Sequence, residues 1–201
     1  MDDLFWNQLK IGNEQAYQLL YDKYAGMLYE YGMKVVADDD IVSEAIQSLF
    51  VYIFEKRQNL SKPISIEAYL YVSLKRLIVK RLNKDERYMT VSLDDSENPV
   101  SQFNLEISMN ETMEETAYKE DLLKSLQLAL DKLTKKQREV IYLKYYKGMK
   151  NDEVAFIMGL EMKTVKNLSS LAIANLRNLI RDMLKIYLSV AIFYYVWSLF
   201  K

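Results

Sequence analysis

The sequence holds no cysteine and no histidine, and only five glycines and two prolines among 201 residues. Without cysteine there is no disulfide, no thiol nucleophile and no cysteine-ligated metal. Without histidine the commonest general base, the serine-type triad and the ordinary physiological-pH switch are gone. No catalytic constellation, metal site or cofactor motif stands out, so the chain reads as a non-enzyme. A secretory signal is also lacking: MDDLFWNQLK is acidic and has no basic stretch followed by a long apolar run, which predicts a cytoplasmic protein. No charge of one sign dominates either. The 27 basic and 28 acidic residues leave a net charge of −1, which taken whole argues against a polyanionic partner.

What is present changes that last inference. Half of the residues are hydrophobic, with 16 tyrosines and 7 phenylalanines, ample for a core in one large or two small domains. By segment, the net charge runs −5 over residues 1–60, +4 over 61–90, −8 over 91–131 and +8 over 132–201. The neutrality is a cancellation between blocks, and two basic blocks around an acidic one point to a polyanion.

The periodicity is helical throughout. Tyr17, Leu20, Tyr21, Tyr24, Leu28 and Tyr31 recur at three- and four-residue steps. Ile41, Val42, Ala45, Ile46, Leu49, Phe50, Ile53 and Phe54 make a second stripe, opened by Asp38, Asp39 and Asp40. A polar loop from Lys56 to Ser65 contains Pro63, and a third helix is expected from Ile66 to Arg87. Periodicity then fails over an acidic stretch rich in Ser, Asn, Asp and Glu, read as a flexible linker. The expected organisation is all-α: a helical domain at 1–88, a linker at 89–116, a second helical domain at 117–185 and a hydrophobic tail at 186–201.

Leu133 to Ile180 carries the sharpest local pattern. Thr134 is placed to cap a helix through Tyr146, and Asn151 a short one over Asp152–Met158. Gly159 supplies a turn, and a new helix begins near Met162 with Val165, Leu168, Ala172 and Leu176 inward. That order is a helix-turn-helix, with Lys163, Thr164, Lys166, Asn167 and Ser170 facing the major groove. Lysines and hydroxyls hold phosphates, and Asn bonds base edges. Spacing alone equally fits a plain helical hairpin with a solvated polar face. On the third helix, Arg76, Lys80, Lys84 and Arg87 fall within a ~80° arc, which suits a phosphate track or a solvated face. Tyr69 and Tyr71 beside it are candidates for stacking on exposed bases. The cluster Asp38, Asp39, Asp40 and Glu44 lacks the alternating oxygens and central Gly of a calcium loop and reads as charge complementing a helix N-terminus.

The order DDDIVSEAIQSLFVYIFEK, polar loop, EAYLYVSLKRLIVKRLNK, linker, LTKKQREVIYLKYYKGMKNDEVAFIMGLEMKTVKNL and ANLR resembles the extracytoplasmic-function sigma factors of bacterial RNA polymerase, from about Gly12 to Arg181. The resemblance implies that a region-two domain binds the β′ clamp helices of core polymerase through Asp40, Ser43, Glu44 and Gln47. It implies that Arg57, Asn59 and Lys62 of the loop, with Arg76, Lys80, Lys84 and Arg87, meet the unpaired −10 strand of promoter DNA. The region-four helix-turn-helix would read the −35 element and meet the β flap, and an anti-sigma factor becomes an expected partner. Ser43 stands where Gln is common in the family, and Arg76 and Lys80 where Asn and Asp are usual. Ser170, Leu171, Ala174 and Asn175 replace residues that are often basic.

The run Ile186 to Phe200 is apolar on every side, and at ~1.5 Å per residue it spans ~22 Å, short of a ~30 Å hydrocarbon core. A helix of that kind needs a sink: the chain's own domains first, then a groove on a partner, then a membrane interface. It is read as a device that controls availability. Two other functions stay open at the level of sequence, a stand-alone helix-turn-helix regulator and a helical adaptor whose interface is the tail.

Overall fold

The computed structural model describes residues 3–63, 65–84, 103–105 and 117–199, with side chains at 4–63, 65–84, 103–105 and 123–181. They form eight α-helices: α1 (Asp3–Lys10), α2 (Glu14–Val35), α3 (Asp39–Lys56), α4 (Ile66–Leu82), α5 (Ala117–Asp131), α6 (Lys135–Ile141), α7 (Asn151–Met158) and α8 (Met162–Leu199). No strand occurs among the described residues, and the all-α expectation holds. Contacts divide the chain into two units. One is Met1–Asn104 with Met149–Met162, and so contains α1–α4 and α7; the other is Leu105–Gly148 with Lys163–Lys201.

Short polar side chains start the helices of the first unit. Asn13, Asp38 and Ser65 accept the backbone N–H of Ala16, Ile41 and Ala68 at 3.1, 3.0 and 3.2 Å. Each satisfies an N–H that the first helical turn leaves without a partner, worth ~1 kcal/mol. Asp38 is thereby a cap. Asp39 accepts the Tyr29 hydroxyl at 2.7 Å, and that bond holds the Tyr29 phenol above its ordinary range.

α2, α3 and α4 pack mutually around Leu20, Leu28, Val42, Leu49, Leu74 and Ile78, all essentially without accessible surface. α1 adds Trp6 and Leu9 against α2. The stripe predicted on α3 is buried from Ile41 to Ile53, but Phe54 is 42% exposed. At the end of the helix Phe54 serves another contact, with the Arg57 guanidinium 4.6 Å from its ring.

Tyr71 is a correction. It is 1% exposed and stands edge-to-face on Tyr31 at 4.7 Å, so it is a core residue and not a base-stacking platform. Tyr69, two positions earlier, is half-buried. Tyr31 also receives Phe103, buried within the stretch read as a linker, while the Asn104 N–H donates to the Lys34 carbonyl at 2.9 Å. Leu105 accepts from the Gln127 side chain at 3.0 Å, and the remaining expected linker residues lie outside the described set.

In the second unit Thr134 and Gln137 form a reciprocal capping box that starts α6. The helix does not run evenly to Tyr146: after Ile141 it widens to a π-helical turn over Tyr142–Tyr146. Val140, Tyr142 and Leu143 are buried, as are Ala129, Leu130, Val165 and Ala172 of the same unit. With no Gly or Pro to interrupt it, α8 continues unbroken for 38 residues, ~57 Å. Among the described residues no helix is long and apolar enough to cross a membrane.

Two substitutions test this packing. A Cβ on Gly32 would lie 2.6 Å from Cγ1 of Val42, so Gly32→Ala is expected to destabilise by ~1–2 kcal/mol in denaturant titration despite its better helix propensity, and Val42→Ala should recover most of the loss. Burial raises the Tyr71 phenol pKa, so the fold favours the neutral form. That contribution is complete below the unfolded value of ~10 and is lost as pH rises above it. Because the Tyr71 hydroxyl is buried without a hydrogen-bond partner, Tyr71→Phe should gain ~1 kcal/mol at neutral pH and flatten the alkaline decline.

Candidate nucleic-acid interface

The helical step decides which side chains of α4 stay outside. At ~100° per residue, Leu74 and Ile78 point opposite Arg76, Lys80 and Lys84. Burying the first pair obliges the cations outward, and all three are exposed. Arg87 lies outside the described residues. In the loop, Asn59 and Lys62 are exposed, but Arg57 folds back: its Nη1 donates to the Phe54 carbonyl at 2.6 Å. A Cβ at Gly12, where φ is +83°, would sit 2.9 Å from the Arg57 Nε, so glycine there serves both the turn and this close approach.

On α3, Asp40, Ser43, Glu44 and Gln47 form one exposed row. Ser43 and Gln47 share a groove of about 570 Å³ with Tyr17, Tyr21, Tyr29 and Phe50. Glu44 is engaged from the side: Arg81 of α4 makes an ion pair with its carboxylate and donates to its carbonyl at 3.1 Å and to the Ser48 hydroxyl at 2.8 Å. Sequence reasoning missed Arg81. It stands ~140° from Arg76 around the helix, off the cationic face and toward α3.

The start of α8 obeys the same rule. Val165, Ser169 and Ala172 are buried, and Lys163, Thr164, Lys166, Asn167 and Ser170 are all exposed on the other side. Leu171, Ala174 and Asn175 are exposed too. Ser169, not singled out from the sequence, donates to the Lys166 carbonyl at 2.9 Å and accepts from Lys144 at 3.2 Å. Its neighbour in the α8 sequence, Ser170, has the same chemistry and the opposite exposure, so only periodicity separates them. The turn before α8 has Gly159 at φ +64°, with the Leu160 N–H donating to the Ala155 carbonyl at 2.9 Å. The start of α7 is a correction of one residue. Asn151 is already helical, and Glu153 accepts the Lys150 backbone N–H at 2.9 Å.

Residues 123–176 match the family described as Sigma-70, region 4. Over this segment the chain is similar to the sigma-70 region 4 family. The segment spans the capping box, the glycine turn and the exposed row of α8. The fold is shared with CnrH, solved in complex with the cytosolic domain of CnrY, at a TM-score of 0.57 and 20% identity over 90% of this chain and 97% of that one. It is shared equally with the sigma factor RpoE of Bartonella quintana, solved with the anti-sigma factor NepR, at 0.57 and 19% identity over 82% and 96%. No curated protein matches the chain. At these identities the likeness to both structures shows the fold.

The Arg81 contacts give a measurable consequence. Arg81→Ala is expected to cost ~1 kcal/mol by denaturant titration, since three acceptors lose a charged donor, whereas Glu44→Gln, at an exposed carboxylate, should cost less than ~0.5 kcal/mol.

Proposed function

We propose that the protein is an alternative sigma factor that binds core RNA polymerase and directs promoter-specific initiation. The observation that carries this is the region-four match over a helix-turn-helix whose first recognition turns expose Lys163, Thr164, Lys166, Asn167 and Ser170 together. In this reading those residues meet the −35 element, the lysines on phosphates and Asn167 on a base edge. The α4 cations, with Asn59 and Lys62, hold the opened −10 strand, where loss of base stacking must be offset by phosphate contacts. Arg57, bound to the end of α3, shapes that loop more than it reaches for DNA. Asp40, Ser43, Glu44 and Gln47 form the polymerase contact, and Arg81 keeps Glu44 in place within it.

No step in this function makes or breaks a covalent bond in the protein, so the role is that of a non-enzymatic factor acting in the cytoplasm. An anti-sigma factor fits as a further partner, since both structural neighbours were solved in complexes and one of those partners is an anti-sigma factor. The tail from residue 186 extends the recognition helix and is proposed to govern the availability of the factor.

Reconstituted holoenzyme is expected to initiate from a subset of genomic promoters; co-purification without an open complex on any of them would overturn the reading. Within it, Lys163→Ala and Lys166→Ala should each weaken −35 duplex binding on every sequence. Each should also lower the slope of log affinity against log salt by ~0.9, measured by anisotropy across a salt series.

A further inference from the structure

The exposed face of α8 is not purely polar. Val165, Ser169 and Ala172 seat the helix within its own unit. At ~100° per residue, Lys163, Asn167, Ser170 and Ala174 then fall within ~50° of the direction opposite that seat, and Leu171 borders them. All five are exposed. Leu171, 57% exposed, is the one large apolar side chain in this row. A lone surface leucine asks for no explanation, but this one stands a helical turn after Asn167, with Ala174 following it. Four residues rise ~6 Å, close to two base-pair steps of ~3.4 Å. From Lys163 to Leu176 the helix has no arginine and no glutamine. The paired acceptors O6 and N7 of guanine are met best by an arginine fork, and that fork is missing. The row offers instead an amide that fits adenine N6 and N7, and an apolar surface that fits the 5-methyl group of thymine. Both partners belong to A·T pairs.

We propose that Leu171 is a specificity-determining residue that reads thymine through its 5-methyl group, within about two base pairs of an adenine held by Asn167. The inference deepens the proposed function and rests on α8 lying in the major groove. In the major groove the methyl is an apolar mark that cytosine lacks, so a leucine against it separates T·A from C·G without a hydrogen bond. Covering one methyl group is worth about a factor of four in affinity. The division of labour on the helix follows from charge. Lys163 and Lys166 hold phosphates and add affinity on every sequence, with a salt dependence. Leu171 releases no counterion, so its contribution depends on sequence and leaves the salt slope alone.

Replacing thymine by uracil removes the methyl group and keeps the base pairing, which makes the test direct. Duplexes enriched from a random-sequence library by the full chain are amplified with dTTP or with dUTP, giving two pools that differ only in those methyls. By anisotropy, the full chain is expected to bind the uracil pool about fourfold more weakly than the thymine pool. Leu171 is exposed, so Leu171→Ala leaves the core of its unit intact. That variant should bind both pools alike and keep the wild-type slope of log affinity against log salt. Equal binding of the two pools by the wild-type chain, which a leucine kept for a protein surface also predicts, overturns the inference. So does a methyl preference that survives Leu171→Ala. If nothing is enriched, or if the enriched pool is indifferent to both Lys163→Ala and Lys166→Ala, the reading of α8 as a DNA-binding helix fails instead.

Discussion

Leu74 and Ile78 of α4 have no accessible surface, and their burial between α2 and α3 sets the orientation of most of what the first unit displays. An α-helix offers no independent choice of two faces: once one is seated in a core, a 100° step fixes the other. The seated face of α4 is leucine, isoleucine and Tyr71, and the face left outside is Arg76, Lys80 and Lys84. The same seating brings Arg81 to the flank where it meets Glu44 and Ser48 of α3. One apolar contact therefore positions the exposed cationic face of α4 and steadies the exposed row on α3.

The helix-turn-helix segment is built on the same economy. Val165 and Ala172 are buried, so the intervening polar residues divide between inside and outside by periodicity alone. Ser169 goes in, where it satisfies both Lys144 and a carbonyl, and Ser170 goes out. A pattern of this kind tolerates wide substitution as long as volume and period are kept, which is how a chain at 20% identity retains a neighbour's fold over 90% of its length.

Much of this was legible beforehand, and the failures share a cause. The helices, the loop at Pro63, the glycine turn and the exposed row on α8 follow from local rules: period, caps and turn chemistry. Tyr71 was misjudged because a tyrosine beside a cationic stripe reads the same whether its ring faces a neighbouring helix or water. Phe54 failed for the opposite reason, since it continues the apolar stripe but lies at a helix end where the core has run out. Arg81 and Phe103 could not be found by spacing, because their partners Glu44 and Tyr31 are distant in sequence. Asn151 missed by one position, within the usual uncertainty of helix ends.

By itself the sequence determined the helical class, the chemistry excluded by the missing cysteine and histidine, and the separation of charge into blocks of opposite sign beneath a net of −1. Those are properties of composition and short-range order, and they need no partner elsewhere in the chain. Only the tertiary structure decided which aromatic rings are core, which arginine braces α3, and that α7 lies on α4. Each of those is a pairing of surfaces far apart in sequence. Such pairing is selected by the burial of apolar area between whole helices, and no local pattern records which helix will supply the other side.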